Sequence, residues 1–382
     1  MTPGARAAAA ITVLESVLAG RPAEVALTNW GRANRYAGSG DRAAVRDIVF
    51  DVLRCRRSCA AQGGSATARG LVLGWARKGG KEALFDGLGH APSPPTPDEA
   101  GQSPTGAAAL DCPDWLEAPL RDALKDRFAD VMAAMQRRAP VFLRVNLARL
   151  TREDAVAALA AEGIVAVPHD LADSALEVVE GARKVHAARA YAEGLVELQD
   201  AASQAVVEMV PLADGQAVLD LCAGGGGKTL ALAARARLRL FAHDAEPRRM
   251  ADLPIRADRA GVTVTLLDQP ERAGPFDVVL ADVPCSGSGS WRRDPEGKWA
   301  LTPERLAALL SVQAGIMDRA VGLLRPGGVL AYATCSMIGA ENADQIAAFL
   351  LRHPGWTVEA ERRFTPLQGG DGFFAAILRK PG

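Results

Sequence analysis

Apolar residues recur at three- and four-residue steps near the start of the chain: Ala9, Val13, Val17 and Leu18, then Val45, Ile48, Val49, Val52 and Leu53. That spacing lines one face of a helix, and few strand signals interrupt it, so residues 1–86 are predicted to be an all-α domain. The pattern breaks at Gly87-Leu-Gly-His-Ala-Pro92, and Pro94, Pro95, Pro97, Gly101 and Pro104 follow. Proline blocks helix and sheet alike, so residues 87–112 are expected to be a linker between domains. Trp115 to Met135 resumes a helical pattern, and Val141 to Asn146 alternates as a strand. Thr151 with Asp154 caps a helix over Ala155–Glu162, and Val165–Val167 reads as a strand. A small α+β subdomain is therefore predicted over residues 113–200.

From Gln204 onward the period alternates regularly. Strands are predicted at Ala217–Leu221, Leu238–Ala242, Val262–Leu267, Phe276–Ala281, Gly328–Thr334 and Phe373–Leu378. Helices fall between them at Lys228–Ala236, Pro303–Leu324 and Ala340–Arg352. Alternating β and α implies an α/β domain over residues 201–382 with a mainly parallel, doubly wound sheet. In that architecture ligands bind beyond the carboxyl ends of the strands.

Three segments with chemical potential fall at such ends. In Asp220-Leu-Cys-Ala-Gly-Gly-Gly-Gly-Lys-Thr229 a strand runs into a glycine loop and then a helix. Glycines let backbone N–H groups approach a ligand closely. An acidic residue closing the next strand commonly takes ribose hydroxyls, and Asp244 stands 17 positions past Gly227 (244 − 227). Asp268, closing the third strand, is placed to accept from an adenine amino group. A P-loop would need glycine where Cys222 stands, so that reading loses. The other two segments, Asp282-Val-Pro-Cys-Ser-Gly287 and Tyr332-Ala-Thr-Cys-Ser336, each carry a cysteine just past an apolar run. A thiolate is the strongest ordinary nucleophile and adds readily to an electron-poor ring carbon. Carbon 5 of a pyrimidine becomes reactive toward a methyl sulfonium only after such an attack at carbon 6. Its proton must then leave before the thiol is expelled, which calls for a base nearby. A lone cysteine at a strand end is ordinarily a small core residue; two in these settings resist a packing explanation. Asp282 is placed to hold the amino group and ring nitrogen of a cytosine, and a desolvated carboxyl could do so protonated.

Composition narrows the classes. Nearly half the 382 residues are hydrophobic, enough for a sizeable core. No uninterrupted apolar run reaches membrane-spanning length, and Ala7 to Ala10 lacks the flanks of a secretory signal, so no membrane association is expected. The six cysteines show no zinc spacing, so no metal is expected, and a reducing cytoplasm suits free thiols. The net charge of −1 argues against a uniformly basic coat, yet residues 1–90 hold 13 Lys/Arg against 7 Asp/Glu. That basic end fits a phosphate-contacting module, or arginines such as Arg54, Arg56 and Arg57 merely solvate a helix face. Trp291-Arg-Arg-Asp-Pro-Glu-Gly-Lys-Trp299 mixes cations with aromatics, a composition suited to phosphates and stacked bases, or to a solvated surface loop.

Together these segments resemble the RNA cytosine-5 methyltransferases of the RsmB (Sun/Nop) family over about residues 113–382. The resemblance also rests on Arg144-Val-Asn146, Gln199-Asp-Ala-Ala-Ser-Gln204, Arg292-Arg293-x-Pro295, Glu341-Asn342 and Asp371-Gly-Phe-Phe374. It implies a Rossmann-like class I methyltransferase domain with a seven-stranded sheet, acting as a monomer on RNA, ribosomal RNA above transfer RNA. It implies Cys335 as the nucleophile and Cys285 as the residue that promotes release. Cys222, Ala223, Gly224, Gly225, Gly226, Gly227, Lys228, Asp244, Asp268 and Asp282 would line an S-adenosylmethionine site. Arg144, Asn146, Arg292 and Arg293 would contact RNA. The helical region, with Asp41-Arg-Ala-Ala-Val-Arg46 and Val52-Leu-Arg54, is similar to the NusB-like RNA-binding domain of bacterial members. The family usually has proline where Gly225 stands, and Pro254 is expected to break the helix after the second strand. Two other classes compete: a non-catalytic RNA-binding assembly factor, and a DNA methyltransferase that would attack with Cys285.

Overall fold

The structure, a computed structural model, describes residues 1–382 and divides into two compact units. The first comprises Met1–Arg138 with Trp291–Ala300, the second Ala139–Ser290 with Leu301–Gly382.

The first unit is helical, as the periodicity predicts, with its main helices at Pro3–Leu18, Ala23–Ala33, Ser39–Arg54, Arg56–Gly63 and Ala68–Lys78. Their shared core holds Ala7, Ala10, Leu14, Val45, Val49, Val52 and Leu71, all fully buried. Two helices approach so closely that a Cβ on Gly74 would lie 1.8 Å from the Cys59 carbonyl oxygen, which only glycine allows.

Residues 87–112 are not a free linker. Arg69 pairs with Glu99, the Gln102 N–H donates to the Ala61 carbonyl, and the buried Asp111 accepts from the Arg57 and Ser58 backbone N–H groups. Proline excludes regular elements there but not packing, and the compact unit runs on to Arg138. Trp291–Ala300 completes this unit. Lys298 Nζ donates to the Arg54 carbonyl at 2.9 Å, Trp299 Nε1 to the Leu53 carbonyl at 2.7 Å, and Trp291 is 1% exposed.

The second unit carries two sheets. The smaller has β1 (Val141–Val145), β2 (Val165–Pro168), β3 (Ala175–Glu180) and β4 (Val196–Leu198) in the antiparallel order β2-β3-β1-β4. Its helix, Arg152–Ala161, is capped by the Thr151 hydroxyl accepting from the Asp154 N–H, and starts three residues earlier than predicted. The larger sheet contains β5 (Ala217–Asp220), β6 (Arg239–Ala242), β7 (Val264–Leu266), β8 (Phe276–Asp282), β9 (Leu324–Thr334), β10 (Thr357–Phe364) and β11 (Phe373–Arg379). Their order is β10-β11-β9-β8-β5-β6-β7, and every strand runs in one direction except β11, which is antiparallel to both of its neighbours. β5 and β8 lie at the centre and are almost wholly buried, which suits their unbroken apolar runs.

Helix Pro303–Leu323 is long and apolar enough, by length and composition, to cross a membrane. Here it lies on the sheet through Met317, Ala320 and Leu323, while Arg319 pairs with Glu271 and Asp318 with Arg352. After β6 the chain makes a short turn at Pro247–Met250, and Pro254 then sits in the first turn of helix Leu253–Ala260. The proline opens that helix, where its missing N–H costs nothing, instead of breaking it.

Candidate active site

The central parallel strands place the chemistry. β8 and β9 are neighbours, with Asp282 opposite Ala333 in register. The residues just past their ends are therefore forced together, and Cys285 Sγ lies 3.4 Å from Cys335 Sγ. β5, on the other side of β8, delivers the glycine loop and the helix Gly227–Ala233 that it opens. From that helix Lys228 Nζ reaches Asp282 Oδ2 at 2.6 Å and stands 5.1 Å from the centre of the Phe373 ring. The three sequence segments thus meet at one spot.

The thiols are electrostatically unequal. A hydrogen bond from the Cys285 thiol holds Cys335 below the ordinary thiol range, against burial and the Asp282 charge, with help from the Lys228 ammonium. The same hydrogen bond, with burial, pushes Cys285 well up. Cys335 is therefore the better thiolate and Cys285 a retained proton donor. Burial also raises the Cys222 thiol, so the third cysteine of this unit is not activated. Burial pushes Lys228 down, but attraction to Asp282 outweighs it and the net shift is upward. Asp282 is thus half of an ion pair, not the isolated desolvated carboxyl the sequence allowed.

A buried carboxylate that the sequence reading left without a role ties the two cysteine loops together. Glu341 is fully buried and accepts from the Ser286 N–H at 2.8 Å and from Gln313 Nε2 at 3.0 Å. It also takes the hydroxyls of Ser286, next to Cys285, and Ser336, next to Cys335. Gln313 Nε2 further donates to the Pro284 carbonyl, and the Tyr332 hydroxyl to the Glu341 carbonyl. One hydroxyl donor comes from each cysteine loop. Gly289 meets Gly372 so tightly that a Cβ there would fall 1.9 Å from the Gly372 carbonyl oxygen. This contact seats Asp371-Gly372 against the Cys285 loop, and Asp200 accepts from the Asp371 N–H at 3.0 Å.

The glycine loop has the form a cofactor needs. Gly224 and Gly226 have φ of +50° and +79°, and a Cβ on Gly226 would overlap Leu253. Asp244, just past β6, is 2% exposed and accepts from the Gly224 N–H at 2.9 Å and the Glu246 N–H at 2.9 Å. Its Oδ2 also faces Arg249 Nη1 at 3.4 Å, while Oδ1 keeps a lone pair. Asp268 stands exposed just past β7. Asp220 is fully buried beneath the loop; Thr229 donates to Oδ2, and Oδ1 has no partner. Open backbone at the end of β5, carboxylates at the ends of β6 and β7, and an orphaned acceptor below fit a nucleoside-bearing cation.

The expected RNA contacts fare differently. Arg144 is buried against Ser174, Gln204, Glu208 and Arg235, around a cavity of about 340 Å³. Asn146 is buried too, its amide donating to the Gly194 and Ala260 carbonyls. Arg292 lies buried in the helical unit, where its carbonyl accepts from Arg54 Nε at 2.6 Å. Of the four, Arg293 alone faces solvent. The residues near the tryptophans form helical core, not an open stacking surface.

Comparisons with known proteins align with this architecture. The family profile described as 16S rRNA methyltransferase RsmB/F matches residues 207–379, and an RsmF/B-like ferredoxin-like domain profile matches residues 112–186. Ribosomal RNA small subunit methyltransferase B of Klebsiella pneumoniae is 34% identical over 284 residues, covering 70% of this chain and 66% of that protein. The Vibrio cholerae protein of the same name is 34% identical over 283 residues, covering 70% and 65%. The chain thus spans just under two thirds of the length of these relatives. Among solved structures, PH0851 superposes with a TM-score of 0.79 at 22% identity, over 100% of this chain and 99% of that one. A methyltransferase homologue from Pyrococcus horikoshii gives 0.62 at 23% identity, over 72% and 97%. At these identities the structures speak to the fold.

Proposed function

Because the chain belongs to the RsmB/F methyltransferase family, we propose that it methylates carbon 5 of a cytosine in small-subunit ribosomal RNA. The single observation that carries the reaction type is the pair of unequal thiols, 3.4 Å apart at the ends of β8 and β9. One attacking cysteine would suffice for a simple transfer; a second beside it answers the need to release a covalently held base.

The 222–228 loop, Asp244 and Asp268 would hold S-adenosylmethionine, which would supply an electrophilic methyl group. The Cys335 thiolate attacks carbon 6 of the cytosine, which makes carbon 5 nucleophilic. Asp282 receives the exocyclic amino group, and the Lys228 ammonium beside it keeps that carboxylate oriented. Cys285 hydrogen-bonds the attacking sulfur beforehand. Once Cys335 is bonded to carbon 6 that partner is gone, so Cys285 can give its proton to solvent. As a thiolate it then takes the carbon-5 proton as the carbon 6–sulfur bond breaks and Cys335 leaves as a thiolate. Glu341 fixes both loops so that neither sulfur drifts from the base.

A DNA methyltransferase is disfavoured because the relatives this chain resembles are named for ribosomal RNA. Bisulfite sequencing of ribosomal RNA from cells with and without the gene tests the proposal. One small-subunit cytosine should lose its protection from conversion in the deletion; unchanged small-subunit RNA, or a change confined to transfer RNA, would overturn the substrate.

A further inference from the structure

The two thiols have a second chemistry open to them that needs no base at all. We propose that Cys285 and Cys335 close into a reversible disulfide when the free protein meets a hydroperoxide, so that the pair is also a modification site. The ground is geometric. The sulfurs lie 3.4 Å apart with nothing between them. Bonded sulfurs sit at about 2.05 Å, so closure asks for an approach of roughly 1.4 Å, within reach of small side-chain rotations.

The scaffold also holds the sulfurs face to face. Parallel neighbours β8 and β9 carry them, and Glu341 grips Ser286 and Ser336, the residue after each cysteine. An arrangement that brings two thiols to one base keeps them facing each other when the base is absent. All six cysteines are free. The inequality of the pair supplies the order of events: Cys335, held low by the Cys285 hydrogen bond, reacts first and Cys285 resolves.

In the first step the Cys335 sulfur attacks one peroxide oxygen. The O–O bond breaks, Cys335 becomes a sulfenic acid, and the departing hydroxide or alkoxide takes a proton from solvent. In the second, the Cys285 sulfur attacks the sulfenic sulfur, the S–O bond breaks, and water leaves with the Cys285 proton. Two thiols lose two electrons and the peroxide gains them. Cys335 can then no longer attack a base.

The consequence for activity rests on the methyltransferase reading; the bridge itself does not, and the test separates them. The full chain is treated with hydrogen peroxide, and intact mass and non-reduced peptides are read. The intact mass should fall by two hydrogens, peptides bearing Cys285 and Cys335 should be joined, and dithiothreitol should reverse both. Cys222→Ser should behave identically, whereas Cys285→Ser should lose no hydrogens and accumulate oxygen on Cys335. Sulfinic acid on the two cysteines without a join, or a join through Cys222, would overturn the proposal. Methyl transfer is measured on reduced samples in parallel. A bridge in a protein that transfers no methyl when reduced would sink the activity but leave the modification site; transfer without a bridge would do the reverse.

Discussion

Truncating Glu341 to alanine should loosen both cysteine loops at once, and the size of the effect follows from its partners. The carboxylate takes the Ser286 N–H and Gln313 Nε2 on one oxygen, and the Ser286 and Ser336 hydroxyls on the other. The hydroxyls can turn to each other and to Ser288. The backbone N–H and the amide N–H have no substitute acceptor. A buried donor left unpaired costs about 1–3 kcal/mol, so two cost roughly 4 kcal/mol together. In Glu341→Gln the amide oxygen can keep the first pair while its NH₂ donates to the serine oxygens, losing about 1 kcal/mol of charge-assisted strength. Urea unfolding should therefore rank wild type, then Gln, then Ala, with an unchanged slope. Methyl transfer to RNA by the alanine variant, measured where it is still folded, should fall sharply while the glutamine variant keeps most of it. An alanine variant that unfolds at the wild-type urea concentration and transfers methyl normally would refute the clamp.

Asp244→Ala removes an acceptor from the Gly224 N–H and from any ribose hydroxyl, worth about 1.5–3 kcal/mol for a charged partner. Cofactor titration should weaken tenfold or more while RNA binding persists; an unchanged titration would remove Asp244 from the site. Burial raises the Asp220 carboxyl to about 7, against the Thr229 hydrogen bond. The folded state thus holds a proton the unfolded chain has released. That stabilisation is full below about pH 4 and lost as pH rises through about 7. Asp220→Asn should flatten the urea midpoint across this window, and parallel curves would contradict the assignment. In the glycine loop, Gly226→Ala should destabilise by about 1–3 kcal/mol through positive φ and overlap with Leu253. Gly225→Ala, which meets only the end of Arg256, should stabilise by about 0.4–1 kcal/mol; the reverse order of melting temperatures would refute the loop geometry.

The centre of the larger sheet was legible because β5, β8 and the second half of β9 are buried on both faces and read as apolar runs leading to Cys222, Cys285 and Cys335. β10 escaped notice for the opposite reason. Thr-Val-Glu-Ala-Glu-Arg-Arg-Phe364 is an edge strand, exposed along most of its length, and its charges carry no alternation to read. β4 was missed as a three-residue piece, and β3 because its Ala-Leu-Glu-Val-Val-Glu run is equally readable as helix, although Ala175–Val178 of β3 pairs with β1. Local composition misled twice. The prolines of residues 87–112 looked like a linker because contacts such as Arg69–Glu99 are invisible to a windowed reading. The tryptophans and arginines of 291–299 looked like an RNA surface although Trp291 and Lys298 are buried. The thiol pair was foreseeable from two strand ends; Glu341 stood out only through the family resemblance, and its clamp role did not, since nothing local marks bonds to serines about 5 and 55 residues away.

The most direct test of the division of labour between the thiols is denaturing electrophoresis of each cysteine variant with small-subunit RNA and S-adenosylmethionine. Cys285→Ala should accumulate a denaturation-resistant protein–RNA band, because Cys335 attacks and release stalls. Cys335→Ala should give neither band nor methylated product. A stable adduct in Cys335→Ala, or product formation at the wild-type rate without Cys335, would contradict the account.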